Sequence, residues 1–175
     1  MGIGNFFTEI VEQERKPADN ERLIFLSFDG VVHRLPEDGV PSSWDSGVLP
    51  LLGIRFFLAK PMQQILRVCE TLNAKIILTT SWKSQGFNIS EFNQVFKGLI
   101  IGQTSDKSSS GGEVGRRERE IMAYLDEFCN DSPYAIIDAN PNNFSSNDIN
   151  LYLTDPAKCF TDNMADDVIN SFEHQ

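Results

Sequence analysis

Short apolar runs that alternate with helical patterns are the feature of this sequence that most restricts its fold. Apolar residues spaced three or four positions apart, typical of helices, separate these runs. Apolar strands joined by helices predict a parallel sheet with both faces covered. We therefore predict one α/β domain with three layers, α/β/α and Rossmann-like, around five parallel strands. The predicted strands are Leu23–Phe28, Ile76–Leu78, Leu99–Ile101, Tyr134–Ile137 and Leu151–Leu153.

The same spacing predicts four helices in the domain. One begins at Pro61, because proline lacks only an N–H that the first turn of a helix leaves unbonded. Its apolar face continues to Leu72. The other three predicted helices cover 89–96, 121–128 and 166–172.

We divide the chain into an N-terminal extension, residues 1–21, and a domain over 22–175. The extension carries an apolar patch with the spacing of a short amphipathic helix, which we expect to pack on the domain: Phe6, Phe7, Ile10 and Val11. A long connection rich in proline and glycine spans 33–59. Residues 103–115, rich in serine and glycine, are predicted to form a flexible loop, and a mobile connector is favoured over a loop that covers a substrate.

Composition excludes some classes of function. The net charge of -10 argues against a broad nucleic-acid-binding face, although it permits a local cationic pocket for one phosphate. No apolar run approaches the roughly 20 residues that span a bilayer. The cysteines lie far apart, at Cys69, Cys129 and Cys159, so we expect free thiols in a reducing, cytoplasmic compartment.

Polar side chains follow three of the predicted strands. Ser27 and Asp29 lie at the end of the first, the segment Thr79–Lys83 follows the second, and Asp138 follows the fourth. Ligands of open parallel sheets bind outside the carboxyl ends of the strands. We therefore expect these clusters to meet at one edge of the sheet and to form a site there.

These clusters resemble the motifs of the haloacid dehalogenase-like (HAD) phosphatases. Ser-Phe-Asp-Gly-Val-Val resembles their first motif, Asp-x-Asp-Gly, and Thr-Thr-Ser-Trp-Lys is similar to the second, which grips phosphate. Arg117 stands where the cationic third motif is expected, and Ile-Ile-Asp-Ala-Asn, with Asp138, resembles the fourth. Order and spacing agree over 22–172. The Ser-Trp-Lys and Arg-x-x-Glu-Ile elements are most similar to a small bacterial subgroup linked to RNA-repair and polynucleotide-phosphatase-like proteins.

The resemblance implies roles for individual residues. Asp29 would be the general acid and base, with its backbone carbonyl facing a metal ion. Thr80 would hold the phosphate, and Thr79 and Ser81 are alternatives because the end of the strand is uncertain by one residue. In the spatial order that the resemblance implies, the fifth predicted strand is followed by the fourth, first, second and third. The resemblance also implies a small flap or cap in the insertion over 33–59.

The remaining implied roles concern charge. Arg117 would clamp the phosphate, with Arg116 or Arg119 as substitutes. The cofactor would be Mg²⁺, which takes hard oxygen ligands. Its ligands would be Ser27, the Asp29 carbonyl, Asp138 and Asn142. Trp82 is interpreted as a packing residue, and His33 as a turn residue.

Two positions depart from the pattern of the family. Ser27 stands where the nucleophilic aspartate is expected, and Ala139 follows Asp138 where many relatives have a second aspartate. A hydroxyl without a base beside it is a poor nucleophile. It also attracts a divalent cation less than a carboxylate does.

Three hypotheses follow for function. The first is a phosphatase-like protein with impaired catalysis, a pseudoenzyme that retains phosphate binding and weak Mg²⁺ binding. The second is an active Mg²⁺-dependent phosphatase acting on a nucleotide or on a phosphate at a polynucleotide end. The third is a non-catalytic interaction module that uses the N-terminal segment and a phenylalanine-rich surface. The expected ligand of the first two is a phosphorylated small molecule or a nucleic-acid end.

Overall fold

The computed structural model describes residues 14–33, 48–51, 54–82, 89–105, 112, 114–128, 131–146 and 149–173. Its strands are β1 (Leu23–Leu26), β2 (Val48–Leu51), β3 (Ile54–Leu58), β4 (Lys75–Leu78), β5 (Ile100–Gln103), β6 (Tyr134–Asp138) and β7 (Leu151–Leu153). Its helices are α1 (Ala59–Leu72), α2 (Ile89–Asn93), α3 (Arg116–Phe128) and α4 (Asp162–Ser171), with a 3₁₀ turn at Pro141–Asn143.

Five strands form one parallel sheet in the spatial order β5-β4-β1-β6-β7. This is the order that the HAD resemblance implies, and the predicted three-layer α/β/α class is confirmed. The central strand is β1, whose four residues are all buried. A strand covered on both faces needs apolar side chains in both directions, which is why Leu23–Leu26 shows no polar alternation.

Two apolar clusters cover the two faces of this sheet. On one face, Ile24 and Leu26 pack with buried residues of α1 and α4: Met62, Ile65, Val68, Ala165 and Val168. On the other face, Leu23 and Phe25 pack with the buried side of α3: Ile121, Tyr124 and Leu125. Successive strand residues point to opposite faces of a sheet. The assignment of strand residues to these two clusters therefore indicates the face on which the residues just after each strand lie.

The predicted elements differ from the observed ones mainly at their ends. The first strand was predicted to reach Phe28 but ends at Leu26, because the chain then turns and the Phe28 carbonyl accepts N–H groups from three residues, Val31, Val32 and His33. The last helix begins at Asp162 instead of 166, since the Thr161 side chain accepts the N–H of Met164 and caps it.

The insertion over 33–59 contains a two-stranded antiparallel sheet, β2 with β3, that the sequence analysis did not predict. Its prolines and glycines favoured a plain connection. The predicted flexible loop, 103–115, lies largely outside the described residues, although Gln103 belongs to β5. The apolar patch of the N-terminal extension also lies outside them.

The described part of the extension lies along the edge of the sheet. The Arg15 N–H donates to the Ile101 carbonyl at 3.0 Å, and Pro17 is buried. Two free thiols, Cys69 and Cys159, are buried, and burial raises the pKa of Cys69 to about 12. Cys129 lies outside the described residues. None of the helices in the described part of the chain combines the length and apolar character needed to cross a bilayer.

Gly30 turns the chain directly after β1, with a φ of +72°. A Cβ on Gly30 would collide with the Cβ of Ala139 and would press on Pro156 at 3.2 Å. Thr154 holds this turn by donating its hydroxyl to the Gly30 carbonyl at 2.7 Å.

We predict that Gly30→Ala destabilises the domain by about 2–4 kcal/mol, because it combines backbone strain with overpacking. Urea unfolding measures the effect. Gly112→Ala is the matched control, since Gly112 also has a positive φ but a Cβ there meets open space. Equal losses in the two variants would refute the packing argument.

Candidate functional site

Four polar residues form a row across the carboxyl edge of the sheet. They are the residues that follow the last aligned positions of four adjacent strands: Asp138, Ser27, Thr79 and Thr104. We call them the carboxyl-edge row. Backbone bonds extend the ladder through three of them, from Ser27 N to Ile137 O at 3.0 Å, Thr79 N to Leu26 O at 3.0 Å, and Thr104 N to Leu78 O at 2.9 Å.

The carboxyl-edge row lies on the face of the sheet that α3 covers. Phe25, Ile77 and Ile136, each two positions before a member of the row, all belong to the α3-side cluster. Residues two apart on a strand share a face. All four members are buried, with exposures of 2–6% where they are not fully covered. Among the described residues, the row and the first turn of α3 therefore share this face at the carboxyl edge.

Arg117 extends from the first turn of α3 to the row. Its Nε lies 3.8 Å from Oδ2 of Asp138, and its Nη1 lies 3.3 Å from Oε2 of Glu120. The two alternatives bind elsewhere: Arg116 pairs with Oε1 of Glu120 at 3.1 Å, and Arg119 donates to carbonyls of the preceding loop. Of the three arginines, Arg117 is thus the one that the structure brings to Asp138.

Glu120 is the glutamate of the Arg-x-x-Glu-Ile element, to which the sequence assigned no individual role, and the structure gives it a central place. It is 2% exposed, contacts both Arg116 and Arg117, and lies 3.4 Å from the Thr104 hydroxyl. Its spacing from Arg117 and Arg116, three and four residues, would have signalled this, because such pairs are neighbours on a helix. Glu120 restrains Arg117 at the row.

Three polar atoms in and beside the row are buried without a hydrogen-bond partner: Oγ1 of Thr79, Nε of Arg117 and Oδ2 of Asp138. Buried polar atoms are nearly always bonded, and each exception requires an explanation. A ligand is one such explanation, and the two donors, a hydroxyl and a guanidinium N–H, match the oxygens of an anion.

The other predicted phosphate-binding residues lie away from the row. Thr80 is fully buried, but on the alternate face, and its hydroxyl accepts the Trp82 N–H at 3.4 Å. Ser81 is exposed at the start of the next turn. Lys83 lies outside the described residues. Thr79, named as an alternative in the sequence analysis, is therefore the threonine that the structure places in the row.

Asp29 is held at the rim by two aromatic side chains. Its Oδ1 accepts the indole N–H of Trp82 at 2.9 Å and contacts Nδ1 of His33 at 3.1 Å. The Trp82 ring stacks on Phe57, with centroids 5.6 Å apart. Trp82 and His33 therefore orient Asp29 in addition to packing and turning the chain. The carboxyl group of Asp29 is 34% exposed, so it remains accessible to a bound molecule.

Asn143, and not Asn142, contacts Asp138 with its side chain. Asn142 is exposed, and its backbone carbonyl accepts the Gly115 N–H at 3.0 Å. Both asparagines belong to the 3₁₀ turn after β6, which begins where the Asn140 side chain accepts the Asn142 N–H. Because successive residues of such a short turn direct their side chains differently, Asn143 contacts Asp138 and Asn142 does not.

The oxygen atoms that the row offers as metal ligands do not fit a resident Mg²⁺ in the ligand-free protein. Asp138 is the one carboxylate of the row, and its unbonded Oδ2 faces the Arg117 guanidinium. Ser27 offers a neutral hydroxyl at the position where a second carboxylate is expected. The described residues contain no grouping of three or more His, Cys, Asp or Glu side chains suited to a metal.

Burial raises the pKa of Asp138, and this effect outweighs the Asn140 N–H bond and the Arg117 charge, which lower it. The folded protein thus holds the Asp138 proton more tightly than the unfolded chain, whose carboxyl titrates near 3.8. Above that pH the unfolded chain binds fewer protons than the folded one. The Asp138 contribution to stability therefore falls as the pH rises from about 4 through the raised pKa.

We predict that Asp138→Asn is stabilised relative to the unchanged protein by an amount that grows between about pH 4 and pH 7. The reason is that the amide has no charge to desolvate, while Arg117 keeps its ion pair with Glu120. The measurement is urea unfolding of both proteins in EDTA across this range. A difference that is constant with pH would contradict the raised pKa.

Comparison with known families agrees with the fold. A family model described as "HAD domain in Swiss Army Knife RNA repair proteins" matches residues 23–165, which include the whole carboxyl-edge row and Arg117. At the family level this supports phosphohydrolase-type chemistry, and HAD domains generally use Mg²⁺. No curated protein and no solved structure gives a significant match.

Proposed function

Since this chain belongs to the family of HAD domains found in Swiss Army Knife RNA repair proteins, we propose that it binds the terminal phosphate of a polynucleotide without hydrolysing it efficiently. The carboxyl-edge row would receive the phosphate. Ser27 would stand beside the phosphorus in place of an attacking carboxylate.

The observation that carries the proposal is the set of unpartnered atoms in and beside the row. Oγ1 of Thr79 and Nε of Arg117 are buried donors that lack acceptors. A phosphate monoester has three terminal oxygens that accept hydrogen bonds, so it would satisfy both donors. Each bond to a charged group is worth about 1.5–3 kcal/mol, which makes the phosphate a better occupant than an alcohol or amide.

Impaired hydrolysis follows from the chemistry of Ser27. In the covalent route, a carboxylate oxygen attacks phosphorus, the bond to the leaving oxygen breaks, and the acyl phosphate then loses phosphate to water. Among the described residues, the Ser27 hydroxyl makes no hydrogen bond, so none of them acts on it as a general base. Loss of a covalent nucleophile costs roughly 10⁴–10⁶ in rate.

Support for the ligand class comes from exposure and from the family. The carboxyl group of Asp29 is accessible at the rim, and the description of the family refers to RNA repair. A phosphate at the end of a polynucleotide can enter the site only if the rim leaves room for the rest of the polynucleotide. The net charge of -10 limits contacts to the body of a nucleic acid, so recognition would be confined to its phosphorylated end.

The test compares Thr79→Val with Thr80→Val, because the two threonines are adjacent and lie on opposite faces. We predict that Thr79→Val weakens binding of a phosphorylated oligoribonucleotide by about 10- to 100-fold, because a buried donor to phosphate is lost. The same change should raise the free energy of unfolding by about 1 kcal/mol, because an unbonded buried hydroxyl is removed. Fluorescence anisotropy and urea unfolding measure the two effects.

Thr80→Val is the matched control and should leave the affinity unchanged, because Thr80 lies on the other face. The same oligonucleotide without its phosphate should bind at least tenfold more weakly. If Thr80→Val weakened binding as much as Thr79→Val, or if the phosphate made no difference, the proposed site would be wrong.

An active Mg²⁺-dependent phosphohydrolase is the second candidate, and the arrangement at Asp29 favours it. Trp82 and His33 both hold Oδ1 of this carboxylate, an arrangement that phosphate binding alone does not require. A general acid and base would require it. Under this candidate the unchanged protein releases inorganic phosphate rapidly, and Asp29→Asn abolishes the release.

A further inference from the structure

Among the described residues, the ion pairs in and beside the carboxyl-edge row balance one another. Asp138 and Glu120 contribute two negative charges, and Arg116 and Arg117 contribute two positive ones, joined in a chain of ion pairs. The net charge of this chain of ion pairs therefore favours neither an anion nor a cation. The choice depends on which polar atoms are available for a ligand.

The available atoms favour an anion. Two of the buried atoms without partners at the row are donors, Thr79 Oγ1 and Arg117 Nε, and one is an acceptor, Asp138 Oδ2. A phosphate oxygen accepts from the first two. Among these unpartnered atoms a divalent cation would find one anionic oxygen, Oδ2 of Asp138, and that oxygen has a guanidinium nitrogen 3.8 Å away.

From this arrangement we propose that the site binds its phosphate ligand without a divalent cation, and that Arg117 supplies the positive charge in its place. This inference rests on the proposed function and states how the same site recognises its ligand. It differs from the general use of Mg²⁺ by HAD domains.

The position of Arg117 supports this substitution. Glu120, 2% exposed, lies 3.3 Å from the Arg117 guanidinium and restrains it at the side of Asp138. To admit a cation at Oδ2, the guanidinium would have to withdraw, because two cations next to one carboxylate repel each other. Withdrawal would also remove a neutralising charge from Glu120, leaving a buried charge with less compensation.

The serine at position 27 explains why the positive charge of the Arg117 guanidinium is sufficient to balance the row. Mg²⁺ is bound in proteins through one or two carboxylates together with substrate phosphates. With a carboxylate at position 27, the row would carry one more negative charge than Arg117 can offset, and a divalent ion would restore the balance. With a serine there, the guanidinium alone balances Asp138.

The experiment measures affinity and metal binding separately. An oligoribonucleotide with a 3′-phosphate, and one with a 5′-phosphate, are titrated into the protein in EDTA and again in excess Mg²⁺. We expect the dissociation constants in the two buffers to agree within about threefold. In a third titration, Mg²⁺ is added to the protein alone, and no saturable binding is expected below the millimolar range.

Ser27→Asp is the matched comparison, because it restores a second carboxylate while Arg117 is unchanged. For this variant, Mg²⁺ should tighten oligonucleotide binding by about tenfold or more. Tightening of that size in the unchanged protein, or saturable micromolar binding of Mg²⁺ alone, overturns the inference while the proposed function stands. Absence of phosphate binding in both buffers overturns both, and Mg²⁺-independent binding of a free nucleotide with equal affinity would identify a small molecule as the ligand.

Discussion

Ser27→Asp is expected to raise the rate of phosphate release from a phosphorylated oligonucleotide by about 10⁴-fold over the unchanged protein, in Mg²⁺. The new carboxylate would lie in the carboxyl-edge row between Thr79 and Asp138, one strand from each. Its oxygen would attack phosphorus as the bond to the leaving oxygen breaks. Asp29 would protonate that leaving oxygen and later take a proton from the water that cleaves the acyl phosphate.

Two further variants make this prediction specific. Ser27→Asn has nearly the same size as Ser27→Asp but provides no anionic nucleophile, so it should remain inactive. Asp29→Asn, combined with Ser27→Asp, should lose about 10²–10⁴ of the gained rate, which is the usual contribution of a positioned acid or base. Inorganic phosphate is measured in single-turnover reactions. Activity in Ser27→Asn equal to that of Ser27→Asp would show that the gain does not come from a nucleophile.

Removal of the Arg117 guanidinium has the second-largest expected effect. Arg117→Met retains the apolar stem but leaves Asp138 and Glu120, both nearly fully buried, with less compensation. Breaking a buried ion pair from one side costs about 3–5 kcal/mol. We therefore expect the free energy of unfolding to fall by about that amount, and phosphate affinity to fall on the order of 100-fold.

Arg116→Met is the control for Arg117→Met. The Arg116 side chain is 45% exposed, and its one ion pair with the described residues is to the other oxygen of Glu120, so its loss should cost less than about 1 kcal/mol. Arg117→Lys is the variant to measure if Arg117→Met does not fold. It retains the charge, so it should preserve most of the stability. It should still weaken phosphate binding, because the planar donor pair is lost. Equal effects of Arg116→Met and Arg117→Met on affinity would contradict the assignment of Arg117.

The parallel sheet and the edge that carries the candidate site were predictable from the sequence pattern, whereas the order of the strands was implied by the resemblance to the HAD phosphatases. Apolar runs joined by helical patterns define a parallel sheet, and in such a sheet polar residues after the strands meet at one edge. Ser27, Thr79 and Asp138 fall at that edge because each directly follows, or completes, an apolar run. The fold depends on these broad patterns, which tolerate errors of one or two residues at the ends of elements.

The side chains that meet within the site were less predictable. Thr79 and Thr80 are adjacent, and the choice between them depends on the register of β4 with β1, since a shift of one residue reverses the face. The same sensitivity separates Asn142 from Asn143 in a short turn. The β2–β3 hairpin was missed because Pro50 is atypical of a strand.

The roles of Glu120 and Trp82 were missed for a different reason. Each belongs to a sequence element quoted above, Arg-x-x-Glu-Ile or Thr-Thr-Ser-Trp-Lys, but its role is visible only when its contact partner is located. Glu120 looks like one charge among many in a charged helix until its burial is known. Trp82 looks like packing until its indole N–H is found 2.9 Å from Asp29.

The central claim is that this domain holds an end phosphate that it does not efficiently remove, and phosphorus NMR tests it most directly. The unchanged protein is mixed with an equimolar phosphorylated oligoribonucleotide in Mg²⁺, and the spectrum is followed for hours. We predict a shifted resonance of the bound monoester that persists, that Thr79→Val diminishes, and that is accompanied by little inorganic phosphate. Rapid conversion to inorganic phosphate that depends on Asp29 would contradict the claim, as would a monoester resonance that the protein leaves unshifted.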